Sequence, residues 1–147
     1  MERRGSVLLV EDEEVLRGLV AQFLRGEGFD VSEAADGGEG VQRYLDEGPF
    51  DLLLLDLNLP VFSGVEVARQ VKQHRPSQPV LICSAAIVQE HEDALRRIGV
   101  NRFLSKPYHP ESLLAHIRLE MGTVEAGRPL RAGAMGVTRP DGRGNKA

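Results

Sequence analysis

The sequence predicts an α/β fold in which five parallel strands form one sheet with helices on both faces. Three observations predict it. Short apolar runs ending in polar residues alternate five times with longer segments of helical periodicity. One run, Leu52-Leu53-Leu54-Leu55, is bounded by Asp51 and Asp56 and followed by Pro60, so it reads as a strand buried on both faces, the habit of a parallel sheet. Helical segments are closed by glycine or proline before the next apolar run begins.

Taken in order, Ser6 to Val10 is a β-branched apolar run closed by Glu11 and Asp12, the first strand. From Glu13, residues Val15, Leu16, Leu19, Val20, Phe23 and Leu24 recur at helical spacing until Gly26 and Gly28 stop them. Phe29 to Glu33 alternates as a second strand, and Asp36-Gly37-Gly38 reads as a turn into a helix from Glu39 to Asp46, ended by Gly48-Pro49. After the central strand, Ser63 with Glu66 three positions on has the spacing of a capping box, and Val65, Val67, Ala68 and Val71 give the helix its apolar side. Pro79 to Ser84 is the fourth strand, Gln89 to Ile98 the fourth helix with Gly99 at its end, and Asn101 to Leu104 the fifth strand. Pro110 starts the last helix, with Leu113, Leu114, Ile117 and Leu119 as its apolar contacts. Residues 5–121 therefore form one domain. Residues 122–147 are rich in Gly, Pro and Arg with little to bury, which predicts a disordered tail.

Composition narrows the function. With 147 residues, 41% hydrophobic, the chain is long enough for a real core, and a net charge of −4 gives no general reason to expect nucleic-acid binding or a polybasic membrane surface. Cys83, the single cysteine, sits in an apolar run and builds neither a disulfide framework nor a zinc site, so a reducing cytoplasm is expected. The N-terminal apolar run is too short for a signal peptide, and no stretch approaches membrane length.

In an open α/β sheet, ligands bind at the carboxyl ends of the strands. Those ends carry Glu11 and Asp12, Asp56, Ser84, and just beyond the fifth strand Lys106. Three crowded carboxylates each raise the cost of ionising the next, so the cluster makes sense with a cation between them. An all-oxygen set favours Mg²⁺ or Mn²⁺ over zinc. A hard metal beside carboxylates, a hydroxyl and an ammonium suits phosphoryl transfer, with Asp56 as nucleophile and the metal and Lys106 neutralising the phosphoryl oxygens.

Four motifs carry a family likeness: L-L-V-E-D-E at the first strand, L-L-L-D-L-N-L-P-x-x-S-G around Asp56, C-S-A-A at the fourth strand and F-L-S-K-P at the fifth. From about Ser6 to about Met121 the chain resembles the receiver domain of two-component response regulators, the CheY-like family. The resemblance implies a flavodoxin-like strand order of 2-1-3-4-5, and Asp56 as the residue phosphorylated from a histidine kinase or a histidine phosphotransfer protein. It implies Mg²⁺ held directly by Asp12, Asp56 and the main-chain carbonyl of Asn58, with Glu11 acting through water. It implies that Ser84 and Lys106 grip the phosphoryl group, that Phe103 is the aromatic switch, and that Lys106-Pro107 is a cis peptide. Output would pass to a downstream protein through the fourth helix, fifth strand and last helix, with phosphorylation-dependent homodimerisation as an alternative.

Three positions depart from the commonest pattern. Glu11 replaces an aspartate, Ser84 replaces a threonine but keeps the hydroxyl, and Phe103 lacks the hydroxyl of a tyrosine. Other residues read more simply. His74, His91, His109 and His116 are expected to be solvated, and Asp36-Gly37-Gly38 lacks the spacing of a phosphate-cradling loop. Competing functions are an interaction module that no longer uses phosphate, the receiver part of a larger regulator, and a haloacid-dehalogenase-like phosphatase. The last needs an acid two residues after the nucleophile, where this chain has Asn58.

Overall fold

The computed structural model describes residues 4–122, so the expected disordered tail lies, apart from Gly122, outside the described residues. Ten elements alternate: β1 (Gly5–Val10), α1 (Glu14–Gly26), β2 (Phe29–Ala34), α2 (Gly37–Glu47), β3 (Leu52–Leu55), α3 (Gly64–His74), β4 (Val80–Ser84), α4 (Gln89–Arg97), β5 (Arg102–Ser105) and α5 (Pro110–Glu120). The sheet runs β2-β1-β3-β4-β5, and every pairing is parallel.

The four leucines of β3 follow from its central place. Val7 to Val10 flank it in register on one side, and Val80 to Ile82 on the other. Side chains alternate across a strand, so Leu53 and Leu55 enter a core with Val67, Ala68 and Val71 of α3, while Leu52 and Leu54 enter one with Val20, Ala21 and Leu24 of α1 and Leu113, Leu114 and Ile117 of α5. Each such valine, leucine or isoleucine side chain, taken fully out of water, contributes about 2 kcal/mol. At the opposite end of the sheet from the strand-end acids, Gln78 is fully buried. Its Oε1 accepts from the Tyr44 hydroxyl at 2.8 Å and from Phe50 N at 3.2 Å, and its Nε2 donates to Pro79 O at 3.0 Å, so its polar atoms are paired.

Several sequence expectations are corrected. Gly37 and Gly38 are not a turn before α2 but its first residues. Asp36 caps the helix by accepting from Glu39 N at 2.7 Å, and Glu39 Oε1 reaches back to Ala35 N at 2.8 Å. Packing demands the glycine: a Cβ on Gly37 would collide with the main-chain carbonyl of Phe62. At α3, Ser63 does accept from Glu66 N at 3.2 Å, but Glu66 pairs with Arg69 and Gln70, so only half of a capping box forms. On α1 the buried residues are Val20, Ala21 and Leu24, whereas Val15 and Leu19 are exposed, and Leu119 of α5 is exposed as well. His116 is half-buried rather than solvated; burial, aided by the Arg102 charge, holds its pKa below the ordinary histidine value.

Candidate functional site

The acids stand where the sheet lets go of the chain. Glu11 is still tied to β2, its N donating to Ala34 O at 3.0 Å, and its side chain turns in beside the end of β1 with 5% exposure. Asp12, one residue on, is exposed. Asp56 N donates to Val10 O at 3.2 Å, which carries the β1–β3 pairing one residue further and leaves the carboxylate buried at the sheet's rim. Gly64 allows this: a Cβ there would collide with the Asp56 carbonyl and the Leu57 backbone, so α3 can start directly beneath the acid only with glycine.

Lys106 closes the group from the other side. Its N donates to Ser84 O at 3.0 Å, and the following Lys106-Pro107 peptide is cis. Its ammonium donates to Glu11 Oε1 at 2.6 Å and to Asp56 Oδ2 at 2.8 Å. Burial works against this charge, but the hydrogen bonds and the charges of Asp56 and Glu11 outweigh it and hold the Lys106 pKa above the ordinary lysine value. The remaining oxygens are also engaged. Asp56 Oδ1 accepts from Asn58 N at 3.2 Å and Glu11 Oε2 from Glu13 N at 3.1 Å.

One oxygen each from Glu11, Asp12 and Asp56 lies within 4.8 Å of the others, a spacing that three ligands of one small cation can share. Hard carboxylate donors at this spacing fit Mg²⁺ or Mn²⁺. On β4, between the strands that lead to Asp56 and Lys106, Ser84 is fully buried, and its Oγ has no hydrogen-bond partner among the described residues. Leaving such a hydroxyl unsatisfied costs about 1–3 kcal/mol.

Phe103 on β5 is half-buried and packs against the core beneath α4, where the Arg96 guanidinium lies over its ring at 5.0 Å from the centroid. Asn58 is exposed beside Asp56. Glu11, Asp56 and Lys106, read from separate strand ends, are thus brought into direct contact, with Asp12 and Ser84 beside them.

Other neighbours were not legible in the sequence. Tyr108 lines, with Pro107, Glu13, Leu16 and Ala85, an open cavity of about 340 Å³ beside Lys106; of these only Pro107 is singled out as a site residue by the sequence. Burial, with Cys83, Glu11 and Asp56 adding to it, pushes the Tyr108 phenol up. Arg17 reaches back from α1 to the Glu11 carbonyl. Nothing in the spacing of an arginine on a wet helix signals that contact.

Residues 7–118 match the family described as the response regulator receiver domain. The chain belongs to that family. Receiver domains are signalling components that interact with histidine kinases and bind Mg²⁺ in an acidic pocket, and in this chain Glu11, Asp12 and Asp56 form an acidic group. This receiver is 37% identical over 113 residues to the sensory transduction protein RegX3 of Mycobacterium tuberculosis, covering 77% of this chain and 49% of that protein. The chain spans about half the length of the curated relatives it matches. In structure it is similar to a CheY-like response regulator receiver domain protein from Methanospirillum hungatei, with a TM-score of 0.77, 25% identity, and coverage of 86% of this chain and 98% of that one. It is also similar to a chain of the CheX-CheY-BeF3-Mg+2 complex from Borrelia burgdorferi, with a TM-score of 0.71, 25% identity, and coverage of 76% and 85%. Among the described residues no helix is long and apolar enough to cross a membrane.

Proposed function

We propose that this receiver is a phosphorylation switch that accepts a phosphoryl group on Asp56 from the phosphohistidine of a histidine kinase or histidine phosphotransfer protein, and acts through protein contacts. The observation that carries this reading is the buried, unpartnered Ser84 Oγ on the strand between Asp56 and Lys106. An acidic pocket with a lysine explains a bound cation. It does not explain a hydroxyl held in reserve beside it.

In the proposed step an Asp56 carboxylate oxygen attacks phosphorus, the P–N bond to the donor imidazole breaks, and the imidazole leaves with its electron pair and takes a proton. Asp56 Oδ1 is oriented by Asn58 N and Oδ2 by Lys106. Lys106 turns part of its charge from the carboxylates to the incoming phosphoryl oxygens, and the Ser84 hydroxyl donates to one of them. Glu11, Asp12, Asp56 and the Asn58 carbonyl would hold Mg²⁺ or Mn²⁺, which when bound neutralises phosphoryl charge and orients the group for in-line attack. The same residues assist later hydrolysis of the acyl phosphate, so the domain promotes its own turnover without being an enzyme for a separate substrate. The output surface is α4, β5 and α5, where Phe103 and Arg96 meet.

A phosphate-independent interaction module would have no use for the intact set of Asp12, Asp56, Ser84 and Lys106. The length of the relatives favours a second reading about context, in which the chain corresponds to the receiver part of a larger regulator. Phosphotransfer decides the main point. A ³²P-phosphorylated histidine phosphotransfer protein should pass label to the wild type and not to Asp56→Asn. Equal labelling of both would remove Asp56 from the reaction.

A further inference from the structure

The β1–α1 turn carries two of the three pocket carboxylates, Glu11 and Asp12, and Asp12 is exposed. Arg17, one turn into α1 with its side chain 17% exposed, spans from this turn to β2 with two nitrogens of its guanidinium. Nη1 donates to Glu11 O at 3.0 Å, and Nε donates to Glu33 Oε1 at 3.2 Å. Glu33 is itself anchored on β2, because Arg25 Nη1 donates to its Oε2 at 3.1 Å while Arg25 Nη2 holds Val31 O at 2.8 Å. A continuous polar strut therefore runs from the turn carbonyl to the sheet edge.

We propose that Arg17 is a positioning residue of the metal pocket. By holding the Glu11 carbonyl toward Glu33 it sets where the Glu11 and Asp12 carboxylates stand relative to Asp56. The planar fork suits the place, since it reaches the two acceptors through separate nitrogens held in a fixed geometry, where lysine has only one. This rests on the reading of Glu11, Asp12 and Asp56 as a Mg²⁺ pocket. The sign of its effect separates positioning from simple electrostatics. Arg17 is a cation near a cation site, so its charge alone would weaken Mg²⁺ binding, and removing it would tighten binding. As a positioning residue its removal weakens binding instead.

The test is Mg²⁺ titration by calorimetry, at fixed salt, of wild type, Arg17→Met, Arg17→Lys and Glu33→Gln, with thermal unfolding of each in EDTA as the measure of folding. Loss of a partner that orients a metal ligand reduces metal affinity by about 10- to 100-fold, and this is expected for Arg17→Met. Arg17→Lys keeps the charge but not the fork and should still bind several-fold more weakly than wild type; Glu33→Gln, which loosens the outer anchor, should fall between. If Arg17→Met proves unfolded in EDTA, the Lys and Gln variants carry the test by themselves. Unchanged or tighter Mg²⁺ binding in folded variants, whatever their melting temperatures, would overturn the positioning role. Full recovery by Arg17→Lys would also overturn it, because an ammonium without the fork would then suffice. Absence of Mg²⁺ binding in wild type would remove the metal reading and the role with it, whereas binding in wild type with unchanged variants removes the role alone.

Discussion

The Lys106 ammonium donates to Asp56 Oδ2 at 2.8 Å, and the same nitrogen lies 2.6 Å from Glu11 Oε1. One lysine thus serves as the shared counter-ion of two buried acids. Removing one partner of a buried ion pair costs about 3–5 kcal/mol, because the other charges are left uncompensated. Lys106→Met should therefore lower the stability measured by urea unfolding in EDTA by about 3 kcal/mol. Mg²⁺ should restore more stability to this variant than it adds to wild type, since a divalent ion takes over the same carboxylates. The folded Lys106 pKa is raised, so its contribution is fully present below the unfolded lysine value and is lost only as pH rises through the higher folded value. The wild-type to Lys106→Met difference should then stay constant from neutral pH to the ordinary lysine range. A variant as stable as wild type in EDTA would contradict the shared counter-ion.

Ser84→Ala separates metal binding from signalling. The hydroxyl is buried without a partner among the described residues, so its loss should leave stability unchanged or raise it, by no more than about 1–3 kcal/mol, and should leave Mg²⁺ affinity intact. In phosphorylated wild type, amide exchange should change between about Ala85 and Leu104. Phosphorylated Ser84→Ala should not show that change. If both respond alike, the hydroxyl is not the transmitter.

Arg96 covers the Phe103 ring at 5.0 Å and is itself held by Glu92 at 2.8 Å on the same helix. A cation–π contact of this exposure is worth about 0.5–1 kcal/mol, which shifts a balanced side-chain equilibrium roughly two- to fivefold. Arg96→Met should move the Phe103 rotamer populations by that factor, read from side-chain scalar couplings in solution. Identical populations would show that packing alone places the ring.

Lys72 near the end of α3 gives a pH signature. Burial, opposed by the Glu120 charge, lowers its pKa to about 8. An unfolded lysine keeps its proton up to about 10.4. Between those values the unfolded chain binds more protons, so this group makes stability rise with pH across that window and leaves it flat below about 8. Lys72→Met should remove the rise. At neutral pH the variant should gain on the order of 1–3 kcal/mol, less what is lost with the Lys72 bond to the Pro76 carbonyl. Equal slopes for the two proteins in urea unfolding between pH 8 and 10 would contradict the burial effect.

The residues legible in the sequence were those whose position is set by where an apolar run stops. Glu11, Asp56 and Ser84 are each the polar residue at such a boundary, and parallel pairing then fixes which boundaries are neighbours. Contacts made at right angles to the strands were not legible. Arg17 meets a main-chain carbonyl and Glu33, and Arg96 meets Phe103 across a helix–strand layer, and neither leaves a periodic trace. The glycine pair before Glu39 looked like a turn because glycine is a poor helix former, but close approach of the Phe62 backbone overrides that propensity. Val15 and Leu19 share the apolar spacing of α1, yet they lie about 100° around the helix from Leu16 and Val20, beyond the arc that the sheet covers.

Acceptance of a phosphoryl group by Asp56 is tested most directly without any partner protein. The purified chain is incubated with acetyl phosphate and Mg²⁺, and intact-mass and fragment mass spectrometry then locate the added group. The arrangement of Asp56, Lys106 and Ser84 predicts a single phosphoryl group on Asp56, absent in Asp56→Asn and strongly reduced in EDTA, since positioning and charge neutralisation carry most of the transfer. Phosphate on another residue, or none with several small donors while the protein remains folded and binds Mg²⁺, would contradict it.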